Sequence, residues 1–483
     1  MPWSSKNRFG LLTAIGFGLL SFGLRMIVLN KSPYPNGWDG YYYVMQSHSW
    51  LTYGYLQSLD YSIIYPYFTF LSWLIGDYIL AFKFGSALLG AALVSASCII
   101  VRKHSNNWLL VLIIGCYLLF SPTLTFFIIQ FPKNALGLIF FTFFLSSLIS
   151  HSWKAILITF LFCIFSHRMI GGFCIILLVI YSLKYIKLKW IILGFIVLVI
   201  ASLLPGIIHI SDLMRFENQF SFIPQFAPFS FYRIMEKDIS LWWTLDLIIF
   251  TSLVIVSIFY YARNKEYQSD DLMSRIGWPA LLILCLLPFF VMDNGSMGYR
   301  FFLVAPVLWS TYFLMKTKWK SKLVYPAFIL LLCFSFFSHS SYDSSKYDPP
   351  NKLYSIVVKR LSENYNSQSY SLVIVQKSLA EMIIYETSFD ALNWNPPNGE
   401  DYDKTLRIVS NLEFFHFTKY LEQGEIDMLQ KLSQQYYAMP ENIWRSYLER
   451  VYNAKDVTIL ELLKRGGNPL YDRPEYLTKG KKL

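Results

Sequence analysis

Charge is scarce in this chain. Only 15% of its 483 residues are Asp, Glu, Lys or Arg, against about 25% in an average soluble protein. That shortage excludes a purely soluble enzyme, a disordered chain and a coiled coil. Cysteine patterning is missing too. Cys98, Cys116, Cys163, Cys174, Cys285 and Cys333 all fall in apolar runs, with no CxxC or Cys/His spacing. This argues against a cysteine-based metal or redox site, and the six read as small buried hydrophobes. No A-x-A-like cleavage site follows the first apolar run, 9–29, which comes after Lys6 and Arg8. The run reads as an uncleaved signal anchor. No short internal repeat is visible, nor an inverted pair of broken helices of the kind a transporter often carries.

What the chain has instead is apolar length: 55% of residues are hydrophobic and 18% aromatic. A bilayer core takes roughly 20 apolar residues per helix. The candidate spans are about 9–29, 79–101, 107–121, 134–150, 153–166, 169–184, 189–210, 241–262, 276–292, 301–316 and 322–338. The expected fold is therefore an all-α polytopic membrane protein of about 11 transmembrane helices. The net charge of +11 divides unevenly. Residues 1–339 hold 24 Lys/Arg and 12 Asp/Glu, while residues 340–483 hold 18 and 19. The excess lies wholly in the apolar part, where it sets topology, so nucleic acid is not an expected partner.

Parity turns on the run 62–76, SIIYPYFTFLSWLIG, which is short, carries Pro66 and is flanked by Asp60 and Asp77. With a cytoplasmic N-terminus and 62–76 not spanning, the inner loops collect fifteen basic residues and the short outer loops seven. That bias agrees with the positive-inside rule, and 62–76 reads as a helix lying in the outer interface. The outer face then receives loop 30–78, a loop at 211–240, a short loop at 293–300 and the tail. The domains expected are 1–339, membrane-embedded and catalytic, and 340–483, a soluble extracytoplasmic mixed α/β domain. The tail opens on the linker-like HSSYDSSKYDPPN, has a strand-like run at 371–376 and helical-looking stretches at 378–388, 414–421, 425–437 and 441–451.

Ionisable groups near the outer membrane face are the ones that could carry chemistry. Asp39, in NGWDGYYYV, reads equally as a helix N-cap or as a general base for an acceptor hydroxyl or amine. Trp38, Tyr41, Tyr42 and Tyr43 read first as interface anchors, with Tyr42 and Tyr43 also possible substrate contacts. Lys133 and Asn134, in QFPKNALG, stand where a loop re-enters the membrane. Lys133 is either a snorkelling lysine or a phosphate-binding cation. His167 and Arg168, in FSHRMIGG, occupy a tight turn, with Arg168 suited to an anion contact and His167 to a hydrogen-bonded turn. Arg300, in GSMGYRFFLVAP, stands at the outer end of a late span, beside Asp293, and its guanidinium matches phosphate geometry.

Four features together resemble the GT-C superfamily of membrane glycosyltransferases that use polyprenyl-phosphate sugars, such as protein O-mannosyltransferases and aminoarabinose transferases. They are the acid in WDGYYYV, the Pro-containing helix YPYFTFLSWLIGD followed by KFGSALLGAALVSASCIIVRK, the GYRFFLVAP entry, and an outer domain after the last span. The chain departs from the family at SPTLTFFIIQFPKNALG, which has no carboxylate where many members carry a second acid. The resemblance implies sugar transfer on the extracytoplasmic face of a bacterial inner membrane. The donor is a polyprenyl-phosphate sugar, and the acceptor is a glycan, lipid or protein. Asp39 would be the base, with Arg300, Arg168 and Lys133 on the phosphate. A divalent cation is disfavoured by the missing acid, and inversion is expected from a single displacement. The alternatives are an O-antigen polymerase or ligase type of enzyme, in which Arg168, His167 and Arg215 become central, and a transporter or flippase. Reporter fusions check the topology. A fusion after Gly76 should read extracytoplasmic and one after Lys103 cytoplasmic, and a cytoplasmic signal after Gly76 would overturn the assignment.

Overall fold

A computed structural model of the chain describes residues 5–185 apart from 38, 55, 57–61 and 106–107. Beyond 185 it describes shorter pieces: 225–226, parts of 248–259, 272–286, 290–291, parts of 302–309, 329, 333, 336, parts of 351–363, 372–375, 377–387, 391–393 and 436–439. The expected span 189–210, all of 322–338 but 329, 333 and 336, and about half of 241–262 and of 301–316 lie outside the described residues.

The described chain is mostly helical. The long helices are α1 (Ser5–Leu29), α2 (Gly40–Tyr53), α3 (Ile64–Ile75), α4 (Tyr78–Ser105), α5 (Trp108–Phe120), α6 (Pro122–Gln130), α7 (Pro132–Ile149), α8 (Trp153–Ser166) and α9 (Arg168–Tyr185). After these come β1 (Gln225–Phe226), α10 (Leu272–Leu286), β2 (Phe290–Val291), α11 (Val304–Leu308), β3 (Leu372–Val375), α12 (Lys377–Glu386), β4 (Ala391–Asn393) and β5 (Tyr436–Met439). Among the described residues three helices are long and apolar enough to cross a membrane, Gly10–Leu29, Tyr78–His104 and Pro132–Ile149. The pair α5 and α6, bent by 56°, makes a fourth if it is one span. The count of eleven is thus not reproduced there.

The bend corrects the sequence reading, which ended the third span at 121 and left 122–131 as loop. Thirteen residues of α5 rise only about 20 Å, short of a hydrocarbon core of about 30 Å, and the helical path continues after a break. Ser121 is extended and its Oγ accepts the Leu124 N–H at 3.2 Å, with Pro122 opening α6. Pro122 has no N–H to give the Leu118 carbonyl four residues back. Arg25 supplies the missing donor: its Nη2 donates to Leu118 O at 3.1 Å, and its Nη1 to Ser21. Arg25 is wholly buried. It fits because position 90 on α4 is glycine, where a Cβ would come within 2.5 Å of Arg25 Cδ.

The contacts divide the chain into two compact units, 1–28 with 86–343, and 29–85 with 344–483. In the first unit, small residues bring α1 against α4 and α5. Ser95 Oγ donates to Ala14 O at 3.0 Å beside Gly18, and Gly115 faces the Phe17 ring. Close approach through Gly, Ala and Ser is how helices pack in lipid. The helices α7, α8 and α9 form a second group, joined by Phe140 stacked on Phe162 at 4.8 Å and by Gly171 against the Ile164 backbone.

In the second unit, α2 lies on α3 through buried aromatic rings. Tyr42 Oη and Tyr65 Oη share a hydrogen bond of 2.8 Å, and Tyr43 stacks on Phe82 at 5.8 Å. The opposite side of α3 exposes Phe70, Trp73 and Leu74, spaced three and four apart on one helix face. β3 runs parallel to β4 through the crossover helix α12 and antiparallel to β5. Strand 372–375 and helix 377–386 fall on the expected strand-like and helical stretches. The stretch expected as helix at 425–437 ends instead in β5, which begins at Tyr436. The expected helices 414–421 and 441–451 lie outside the described residues.

Replacing Arg25 by Met should cost about 1–3 kcal/mol by orphaning a buried carbonyl. In a Pro122→Ala background the carbonyl regains an N–H and the loss should shrink. Thermal unfolding of the four proteins in detergent measures the coupling, and equal losses in both backgrounds would refute the link.

Candidate functional site

Asp39 occupies the N-cap position of α2, and its carbonyl accepts the Tyr43 N–H at 3.3 Å. Its carboxylate makes no side-chain cap hydrogen bond. The turn before it is built from glycine. Gly37 has φ 91°, and a Cβ on Gly40 would sit 2.7 Å from Pro35 O. Asn36, only 4% exposed, has no hydrogen-bond partner for either amide atom. Asp39 is half-buried, so the acid stands at a positive helix end without acting as its cap.

Lys133, Asn134, His167 and Arg168 come together at one end of the α7–α8–α9 group. Lys133 and Asn134 lie in the first turn of α7, with Pro132 at its start; Arg168 opens α9. Gly137 and Ile170 fix the register, since a Cβ on Gly137 would stand 3.0 Å from Ile170 Cγ1. Lys133 is one turn below that contact, about 6 Å along the axis, and Arg168 about 3 Å. Two helix N-termini therefore share this end with two cations, which suits an anion. Segments 121–137 and 160–175 contain no carboxylate. Lys133 is half-buried and Arg168 exposed. Asn134 is 1% exposed and neither of its amide atoms has a hydrogen-bond partner.

His167 is the residue between α8 and α9, and it caps α9. Its Nδ1 accepts the Met169 N–H at 3.2 Å, and its carbonyl accepts the Gly171 N–H at 2.9 Å. A ring nitrogen that accepts leaves the proton of the neutral imidazole on Nε2.

The opposite end of this unit is basic. Arg102, Lys103 and His104 close α4, and His104 Nε2 meets Ser146 Oγ of the last turns of α7 at 2.9 Å. Lys154 lies in the first turn of α8, and Gly10 near the start of α1 faces Arg102. Arg102, Lys103 and Lys154 thus stand at one end of these helices, and Lys133 and Arg168 at the other.

Tyr42 and Tyr43, expected as anchors or substrate contacts, are 4% and 5% exposed and serve the α2–α3 core instead. Tyr41 is also buried. Trp38, Arg215, Asp293 and Arg300 lie outside the described residues. Sequence reasoning passed over Arg25 and Lys83. Of the 24 basic residues in 1–339 they are the two that no loop accommodates, and an ionisable group inside a span is the signal to follow. Lys83, 5% exposed, donates from Nζ to the Ser32 carbonyl and ties the start of loop 30–78 to α4. Among the described residues no three His, Cys, Asp or Glu side chains gather in a way that would hold a metal.

Comparison with known proteins adds one match. The family model described as EpsG family matches residues 17–367. No curated protein and no solved structure matches the chain.

Removing the His167 cap should cost about 1 kcal/mol of stability. His167→Ala should lower the unfolding temperature and His167→Asn should restore it. An alanine variant as stable as the parent would show that the cap contributes nothing.

Proposed function

The chain belongs to the EpsG family, a membrane polysaccharide polymerase-like family, and on that premise we propose that it is a glycosyltransferase that extends a glycan from a polyprenyl-phosphate-linked donor. The observation that carries the chemistry is the shared end of α7 and α9, where Lys133 and Arg168 stand with two helix N-termini. The donor's phosphate is already a competent leaving group. What the protein supplies is neutralisation of the negative charge that builds on it. Lys133, Arg168 and Arg300 hold that phosphate, and His167 offers Nε2–H as a further donor. The acceptor hydroxyl oxygen attacks the anomeric carbon, and the bond from that carbon to the phosphate oxygen breaks with its electron pair leaving on phosphate. Asp39 takes the acceptor's proton. One displacement inverts the anomeric centre.

The sorting of basic residues supports an orientation. In this proposal the Arg102–Lys103–Lys154 end faces the cytoplasm with the N-terminus, as the positive-inside rule requires. The Lys133–Arg168 end and residues 340–483 are extracytoplasmic, in a bacterial inner membrane. The exposed apolar face of α3 then lies in the outer interface. Residues 1–339 form the membrane domain, with the GT-C-like motifs at Asp39 and Arg300 as its catalytic elements.

The bent pair α5–α6 favours a second reading, a transporter of lipid-linked glycan, since broken helices line substrate paths in transporters. That reading requires movement of the donor with no new glycosidic bond.

Purified protein in proteoliposomes with a radiolabelled polyprenyl-phosphate sugar separates the two. Arg168→Ala and Lys133→Ala should each lower transfer by about 10²–10³, and Asp39→Asn by about 10²–10⁴. Full transfer by Asp39→Asn would remove Asp39 as base and favour the polymerase or ligase arrangement centred on Arg168 and His167. Donor movement without product would establish the transporter.

A further inference from the structure

Helix α2 carries two aromatic clusters of opposite character. The first, Tyr42 and Tyr43 with Tyr65, is dry: the three rings are 4%, 5% and 1% exposed. The second gathers around His48 and reaches the surface. The His48 ring meets Tyr78 at 5.2 Å, Tyr385 at 5.7 Å and Tyr53 at 6.4 Å, each close to perpendicular. Tyr78 and Tyr385 also meet edge-on at 6.0 Å. Tyr53 is 52% exposed, and His48, Tyr78 and Tyr385 are half-buried. Two exposed carboxylates flank the rings. Asp77 precedes α4 and accepts the Leu80 N–H at 2.9 Å; Glu386 follows Tyr385 and accepts the Tyr41 hydroxyl at 3.2 Å. All these residues belong to one compact unit, with Tyr385 and Glu386 brought to α2 from the distant segment 344–483.

We propose that this surface is a binding site for the uncharged pyranose units of the acceptor glycan. A pyranose presents polarised C–H bonds on its faces and hydroxyls around its rim. Aromatic faces are electron-rich and receive the C–H bonds. Carboxylates accept from hydroxyls, while the tyrosine hydroxyls and the imidazole both donate and accept. Burial and the nearby charges of Asp77 and Glu386 push the Tyr385 hydroxyl up to about 12, so it remains a donor. The two acids make the place unsuited to phosphate, which sets it apart from the Lys133–Arg168 end. It binds chain, not the donor's leaving group. His48 and Asp39 stand on one helix, nine residues and about 14 Å apart along the axis.

The assignment rests on the glycosyltransferase reading, and a binding measurement separates the two. The full chain in nanodiscs is titrated with cellotetraose, maltotetraose and chitotetraose, read by saturation-transfer NMR. At least one should show transfer to its ring C–H protons. Tyr53→Ala and Tyr385→Ala should weaken binding about tenfold, the size of a lost anchor ring. Tyr385→Phe, which keeps the ring, should stay close to the parent. Because Tyr53 is largely exposed, its variant tests the site without unfolding the chain. No binding by any of the three, or binding that both alanine variants retain, overturns the proposal. Binding that survives Asp39→Asn while transfer is lost supports it. In a protein that binds but never transfers, the site stands and the glycosyltransferase reading falls.

Discussion

Inside a bilayer, each backbone N–H and C=O has to find its partner within the protein, and the architecture of the first unit follows from that constraint at one point. Pro122 withholds the N–H that the Leu118 carbonyl would have used. Without a substitute donor the break between α5 and α6 would leave a buried polar group unpaired, at about 1–3 kcal/mol. Arg25 closes the gap from a neighbouring helix, and Gly90 on a third makes room for it. One absent hydrogen thereby ties α1, α4 and α5 together. The same logic recurs at Lys83, spent on the Ser32 carbonyl, and at His167, which satisfies the free Met169 N–H. Three basic side chains, Arg25, Lys83 and His167, are thus engaged with the backbone.

Two other places are more informative about function. Lys133 and Arg168 share an end with the N-termini of α7 and α9, and the segments around them hold no carboxylate. Asp39 stands elsewhere on the chain, at a third helix N-terminus that it does not cap. Positive ends with lysine and arginine suit a phosphate. In the proposed transfer the first place stabilises the departing phosphate and Asp39 accepts the acceptor's proton. Membership of a polysaccharide polymerase-like family gives that division its chemical context.

The second unit shows how one helix serves two purposes. Tyr41, Tyr42 and Tyr43 are consecutive and all buried, because α2 is covered by α3 on one side and α12 on another. His48 and Tyr53, later on the same helix, stay near the surface with Tyr385. Consecutive aromatics near a membrane suggest anchors when only their order is known. Their burial depends on which elements arrive to cover them, and α12 arrives from more than 300 residues away.

Apolar run length and the placement of charge were legible in the sequence, because both follow from solvation one segment at a time. The membrane class, α1, α4 and α7, the short helix at 64–75, the strand at 372–375 and the turn at His167–Arg168 could all be read that way. Arg25 and Lys83, the ionisable groups inside spans, were passed over for residues at the outer face. Only the tertiary structure decided what each polar group bonds to. It turned the loop at 122–131 into a helix after a break, took Tyr42 and Tyr43 into a core and set His167 as a cap. It also brought Tyr385 and Glu386 onto α2. Those outcomes depend on a partner distant in sequence, such as a carbonyl left without a donor, a glycine that admits a side chain or a helix that covers a face, and periodicity along one segment carries no record of it.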